Sequence, residues 1–237
     1  MSLPKIDHPT FDVNLSIGTI KYRPFLVREQ KILLMAHDSD DVDSTYRAIK
    51  QVVSNCILTP DVDVDGMPLS DLSILFLHLR ARSMGEQMKA YFRCKNMVEG
   101  KECGMLVDTS VDLLKVGLDG GGANPKIMLA EKMGVTMHYP SFDLLNYLTK
   151  AKSIDAEFTL VAGCISNVFD DKGVYPASEA KPEELIAFLD QLPDDKYQKL
   201  KDFIETAPVV KHVSHEKCTK CGFEHELVLE GLSDFFV

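Results

Sequence analysis

Four cysteines carry the most specific chemistry in this chain, and they come as two pairs more than a hundred residues apart. Cys94 and Cys103 form the first pair, in Arg93-Cys94-Lys95 and Glu102-Cys103-Gly104; Cys218 and Cys221 form the second, in Lys217-Cys218-Thr219-Lys220-Cys221-Gly222. Zinc takes four soft ligands in a tetrahedron, and two hairpin tips that face each other with a thiolate pair each would supply them. The expected site is therefore a structural, zinc-ribbon-like centre that ties the C-terminal part of the chain to its middle. An iron–sulfur cluster is the chemical competitor for the same four thiolates. The eight residues between Cys94 and Cys103 exceed the usual spacing of two to four, so the first half is the less diagnostic one. Cys218-x-x-Cys221 also fits a redox pair, but such pairs usually sit at a helix N-terminus, where the dipole lowers the thiol pKa. This pair lies between two strand-like runs. His212, His215 and His225 are near enough in sequence to replace one cysteine, although each reads more simply as a strand-surface histidine. Cys56 and Cys164 fall on apolar helical faces and read as small buried hydrophobes.

The elements that must position these cysteines are legible on either side of them. Alternating runs over 87–92 and 105–111 flank the first pair, and runs over 209–215 and 223–229 flank the second, which predicts two antiparallel hairpins. Earlier, Phe11, Val13 and Leu15, then Ile20 and Tyr22, alternate about Ser16-Ile17-Gly18 as an N-terminal β-hairpin. A short apolar helix is expected over 29–37. A second, with N-cap candidates over 40–44, carries Ile49, Val52, Val53 and Cys56 at i, i+3, i+4 and i+7. A third is expected over 69–83. Gly117 to Pro125 reads as a linker or mobile loop, 127–139 as a strand, and 141–150 and 155–169 as helices. Pro182 and Pro193 open two more helices from a first-turn position that tolerates proline.

The fold class that follows is α+β: a helical body with an N-terminal β-hairpin and a zinc-ribbon-like pair of antiparallel hairpins. Its expected segments are an arm and hairpin over 1–28, a helical segment over 29–86 and the first cysteine hairpin over 87–113. A loop, strand and helical segment over 114–207 and the second cysteine hairpin with the tail over 208–237 complete one compact unit.

A chain of 237 residues with 45% hydrophobic and 26% charged residues has the composition of an ordinary globular protein. Its net charge of −10 argues against a general nucleic-acid or anionic-membrane binder. No apolar run approaches the roughly 20 residues of a membrane span, and the first residues lack a signal-peptide pattern, so a reducing cytoplasm is expected. Asp61-Val62-Asp63-Val64-Asp65-Gly66 matches the first half of a calcium loop, but Pro68 and Leu72 stand at its eighth and twelfth positions, where a bidentate Glu is needed at the twelfth. An acidic turn before the third helix is the better reading. The glycine run over 117–122 is followed by Asn124-Pro125 and not by Gly-Lys-Ser, so it is no phosphate loop. No nucleophile elbow or His-Glu-x-x-His occurs, and the chain is expected not to be an enzyme.

Two segments resemble a known family. Tyr22-Arg23-Pro24-Phe25-Leu26-Val27-Arg28-Glu29-Gln30-Lys31-Ile32-Leu33-Leu34-Met35-Ala36 resembles the N-terminal signature of the tail baseplate proteins of contractile-tailed bacteriophages, the hub assembly proteins. Phe76-Leu77-His78-Leu79-Arg80-Ala81-Arg82-Ser83-Met84-Gly85-Glu86 resembles its second signature, and Leu3-Pro4-Lys5-Ile6 and Gly231-Leu232-Ser233-Asp234-Phe235-Phe236 resemble its ends. The resemblance implies a bacteriophage late protein, a non-enzymatic structural or assembly component of the baseplate hub. It would act in the host cytoplasm during assembly and then in the virion tail baseplate. Its implied partners are other hub proteins and tape-measure or spike components, with no nucleic acid and no membrane span. Arg23, Phe25, Arg80, Arg82, Phe235 and Phe236 are the expected partner-binding residues, because Arg and aromatic side chains are favoured in interfaces. The apolar end formed by Leu232, Phe235, Phe236 and Val237 either packs back on the chain or docks on a partner. The alternative function is a cytosolic zinc-ribbon regulator of nucleic acid or polymerase, with Lys95, Lys101, Lys217 and Lys220 near phosphates.

Overall fold

A computed structural model describes residues 6–37, 42–151 and 154–235. Leu3, Pro4, Lys5, the cap candidates Asp40 and Asp41, Phe236 and Val237 lie outside the described residues. Alternation at the N-terminus gives the expected hairpin of β1 (Phe11–Leu15) and β2 (Gly18–Tyr22), paired from Phe11↔Tyr22 to Leu15↔Gly18. Val13, Ile20 and Tyr22 point to one face and are buried, as period-2 side chains must be when one face is covered. Pro24 ends the pairing, and α1 (Val27–His37) follows.

In α2 (Val42–Cys56) the expected stripe is the buried one: Ile49, Val52, Val53 and Cys56 are at most 1% exposed. Burying each of the aliphatic three stabilises by about 1.5–3 kcal/mol. The acidic stretch before the third helix is a turn in which the Asp63 carboxylate accepts from the backbone N–H groups of Asp65 and Gly66 at 3.0 and 3.1 Å. α3 (Leu69–Met84) buries Leu72, Leu75, Phe76, Leu77 and Leu79.

The first cysteine hairpin is β3 (Gln87–Arg93) paired with β6 (Leu106–Asp112), from Gln87↔Asp112 to Arg93↔Leu106. Between them stands a smaller hairpin of β4 (Met97–Val98) and β5 (Lys101–Glu102), turned through Glu99 and Gly100. Both turn residues have positive φ, 49° and 80°, as a tight two-residue hairpin requires. β7 (Gly117–Asp119) is a correction: the start of the expected mobile loop is a strand, because Gly117 to Asp119 complete the edge of a sheet built later in the chain.

The next elements depart further from the expected ones. The run over 127–139 is two strands, β8 (Lys126–Met128) and β9 (Gly134–Met137), folded on each other by a turn in which Leu129 and Ala130 donate to the Met133 carbonyl. α4 (Phe142–Ala151) is as expected. The expected helix over 155–169 stops after α5 (Ile154–Gly163), and its last five residues form β10 (Ile165–Phe169). Gly163 weakens the helix, and Ile165, Val168 and Phe169 favour a strand once β9 offers an edge. β11 (Val174–Pro176) completes a four-stranded antiparallel sheet in the order β11-β10-β9-β8. α6 (Pro182–Leu189) begins with Pro182, its Glu184 carboxylate accepting from the Lys181 N–H at 2.9 Å, and α7 (Asp194–Glu205) follows Pro193. β12 (Val209–Lys217) and β13 (Glu224–Glu230) form the second cysteine hairpin, and β12 pairs with β7 on its other edge.

Seven α-helices and several small antiparallel sheets make the protein α+β among the described residues. The chain divides into two compact units, one formed by Met1–Val62, Ser73–Asp119 and Val209–Val237, the other by Asp63–Leu72 and Gly120–Pro208. The second unit has one contiguous core, in which Leu129, Val135, Met137, Val161, Leu200 and Phe203 are buried. In the first unit, Leu77, Met88, Val111, Leu113, Val210 and Phe235 form a cluster under the cysteine hairpins.

Candidate metal centre

Both cysteine pairs sit at the tips of hairpins, and the strands under them fix where the sulfurs point. Cys94 follows β3 directly, and its N–H donates to the Met105 carbonyl at 2.8 Å. The β4–β5 hairpin absorbs the wide spacing of this pair: Cys103 N–H returns to the Asn96 carbonyl at 2.8 Å, and Gly104 N–H to the Cys94 carbonyl at 2.9 Å. Cys94 and Cys103 are thereby brought back to one turn although eight residues separate them. In the second pair Gly222 N–H donates to the Cys218 carbonyl at 2.9 Å, and Cys218 N–H to the Phe223 carbonyl at 2.9 Å. Gly104 and Gly222 both have positive φ, 64° and 73°, which explains why a glycine closes each half.

The structure brings all four sulfurs together, each within 4.8 Å of the others. Cys94 Sγ lies 3.6 Å from Cys221 Sγ, and Cys103 Sγ 3.8 Å from Cys218 Sγ. Four sulfurs at a Zn–S distance of about 2.3 Å sit at the corners of a tetrahedron whose edge is about 3.8 Å. The Cys94–Cys221 and Cys103–Cys218 separations thus match edges of such a tetrahedron. They are far beyond a disulfide bond of about 2.05 Å, and all six cysteines are free thiols. Cys94, Cys103 and Cys218 are buried, and Cys221 is half-buried.

Neighbouring groups polarise the cluster unequally. The backbone N–H of Phe223 favours the thiolate of Cys221 and, with Asn96 Nδ2 at 3.6 Å, brings its pKa down to about 6. Burial pushes the Cys94 thiol up to about 12, and its contacts with the other three thiols push the same way. A metal ion takes the thiolate form, so binding one at this cluster would release to solvent the protons the thiols still carry. Elsewhere, burial raises Cys56 to about 11 and Cys164 to about 12, as expected of inert core thiols.

Sequence reasoning missed Asn96; Lys220, expected near phosphates in the regulator reading, instead donates from its ammonium to the Cys103 carbonyl at 3.1 Å. Asn96 has no motif of its own and reaches the site through the turn that leads into the β4–β5 hairpin. His225 Nε2 touches Cys94 Sγ at 3.1 Å from outside the four-sulfur group, and the ring is edge-on to Phe92 and Phe223. Its sequence position had made it a candidate ligand; it supports a cysteine ligand instead. His215 is exposed on β12.

The side chains expected to meet partners are engaged mostly within the chain. Arg23 is buried, donating to Glu29 at 3.1 Å and to the Asn55 carbonyl at 2.8 Å, and Phe25 is buried beside it. Arg80 donates to the Phe235 carbonyl at 3.0 Å, and Phe235 is fully buried in the cluster under the hairpins. Of the two fates open to the apolar end, Phe235 packs back on the chain. Arg82, partly exposed, pairs with Glu86 at 2.6 Å and lies 4.9 Å over the Phe11 ring.

The family model described as T4 bacteriophage base plate protein matches residues 8–237. The chain belongs to this family. Within it, the chain is a distant homologue of "Baseplate hub assembly protein gp26" of Enterobacteria phage T4, with 23% identity over 230 residues that cover 95% of this chain and 96% of the relative. No solved structure matches the chain. The two segments that resembled family signatures occupy β2 to α1 and the second half of α3, so in this baseplate family member they frame Arg23, Glu29 and Arg80. Among the described residues no helix is long and apolar enough to cross a membrane.

Proposed function

We propose that the chain is a non-enzymatic structural or assembly subunit of the phage tail baseplate hub, with one structural zinc ion held by Cys94, Cys103, Cys218 and Cys221. The observation that carries the hub assignment is the similarity to a baseplate hub assembly protein over nearly the full length of both chains. The zinc assignment rests on four sulfurs at tetrahedral spacing, three of them buried, all supplied by protein and with no position left open for a substrate. The enclosed space suits one ion and is too tight for a cluster of several irons and sulfides. Its partners are other hub proteins and the tape-measure or spike components that meet the hub, first in the host cytoplasm and then in the virion tail baseplate.

Elemental analysis of protein purified without added metal tests the centre: about one zinc per chain is expected, and a brown protein with visible absorbance would make it an iron site. Co-expression with the other tail proteins of the same phage, followed by purification, tests the hub assignment. A stable complex with at least one of them is expected, and its absence with all of them would sink the assignment. The zinc-ribbon regulator reading predicts a gel shift with nucleic acid at low salt, where the acidic chain should give none.

A further inference from the structure

Helix α1 is apolar on two sides, and only one of them is covered. Its inner side carries Ala36, buried, with Ile32 and Leu33 half-buried, and the buried Glu29 carboxylate. Its outer side carries Val27, Leu34 and Met35, which are 69%, 58% and 76% exposed. With Lys31, also exposed, these fall at i, i+4, i+7 and i+8 and so form one continuous face, with Arg28 at its edge. A surface helix normally has one apolar face, turned to the core, and a group of large apolar side chains on its outer face as well marks an interaction surface.

The charges on this helix say what the surface fits. Glu29 is the one carboxylate in Val27–His37, and it is turned inward, taking hydrogen bonds from Arg23 at 3.1 Å, Arg28 at 2.6 Å and the Leu26 N–H at 2.8 Å. These bonds fix the first turn of α1 and, among the described residues of the helix, leave the outer face with Arg28 and Lys31 and no acid, in a chain whose net charge is −10. A second copy of this chain docking face to face would bring the two cations of each copy together, because a two-fold contact sets a surface against itself. We propose that this face of α1 is the docking surface for a helix of a different protein, one whose apolar stripe is flanked by carboxylates. Val27, Leu34 and Met35 are the anchors, Arg28 and Lys31 select the acidic partner, and Arg23 and Glu29 are positioning residues that hold the helix in place.

That the partner is a hub subunit rests on the function proposed above; the chemistry of the surface does not. The test uses the full chain co-expressed with each of the other tail proteins of the same phage, as wild type, as Leu34→Glu/Met35→Glu and as Lys31→Glu. All three should melt alike and hold the same metal, because the substituted side chains are exposed. The apolar double variant should weaken the complex by at least about 100-fold, and the charge-reversed one by about 10-fold with a shallower salt dependence. A complex that survives Leu34→Glu/Met35→Glu unchanged overturns this proposal and leaves the hub assignment standing; no complex with the wild type overturns both. A wild-type homodimer in light scattering that becomes monomeric in Leu34→Glu/Met35→Glu would make a second copy the occupant and overturn the choice of partner.

Discussion

The unit built on Gly120–Pro208 and the unit built on the cysteine hairpins both assemble short antiparallel strands, but they are held by different means. In the first, four strands carry an ordinary core: ten buried residues form one cluster, Tyr139 stacks on Phe203 with ring centres 4.6 Å apart, and Phe158 stacks on Tyr197 at 4.8 Å. At the hairpin tips of the second, the buried cluster is Cys94, Cys103, Val107 and Cys218, with Phe92 and Cys221 against it. Beyond the apolar cluster under the hairpins, so few apolar atoms give the tips no core of their own, and small units of this kind often use a cross-link. The difference teaches that cysteine positions here replace core positions: the proposed metal ion would supply at the tips what burial supplies in the other unit.

The largest expected effect follows directly. Cys218→Ser, or a strong chelator, should remove the metal and destabilise the cysteine-bearing unit by on the order of 5 kcal/mol or more. In calorimetry the loss should appear in one transition while the other keeps its midpoint. If both shift together, or neither moves, the contrast between the two units is wrong. The converse is Phe203→Ala, which should cost about 3–5 kcal/mol in the apolar unit and leave the metal content unchanged.

A third variant separates the metal from the other polar device of the cysteine-bearing unit. Burial alone would raise the pKa of Glu29, but the hydrogen bonds from Arg23, Arg28 and the Leu26 N–H outweigh it and bring it down to about 2. A depressed carboxylate stabilises the fold fully above its unfolded value, about 4.3, and the stabilisation is lost as pH falls through that value towards 2. The contribution at neutral pH is on the order of 3 kcal/mol. Glu29→Gln should therefore melt lower at pH 7 and lose much less than the parent between pH 4.5 and pH 2, with zinc still bound at pH 7. Smallest is Gly100→Ala, which places a side chain at φ 80° in the β4–β5 turn. It should cost about 1 kcal/mol without loss of metal; a loss of zinc would mean that this turn sets the geometry of the site.

How much of this was legible in the sequence depends on whether a pattern was local. The hairpins beside the cysteines alternate strictly and read correctly to within two residues, as did the buried stripe of α2. The segment over 155–169 did not, since Ile165 to Phe169 continue an apolar pattern that suits a helix or a strand, and the deciding partner, β9, lies some thirty residues earlier. The start of the glycine run failed for a similar reason: Gly117 to Asp119 become a strand only because β12 arrives ninety residues later. The four cysteines stood out by type and spacing, and the structure brings their sulfurs together, yet nothing in the sequence marked Asn96 as their neighbour. Arg23 was singled out for its residue type, but its ion pair inside the fold could be seen only once Glu29 was found buried.

The position of the four cysteines also sets an order in time. Cys103 and Cys218 meet across 115 residues of chain, and Gly120–Pro208 lies between them. At a synthesis rate of roughly 5–20 residues per second, the first hairpin leaves the ribosome about 6–23 s before its partner cysteines exist. During that wait it holds two thiols of a four-thiol site, while the intervening unit has its whole sequence available to fold. The four-thiol group can close only after Cys221 has been made, so its fastening follows the synthesis of the whole intervening segment.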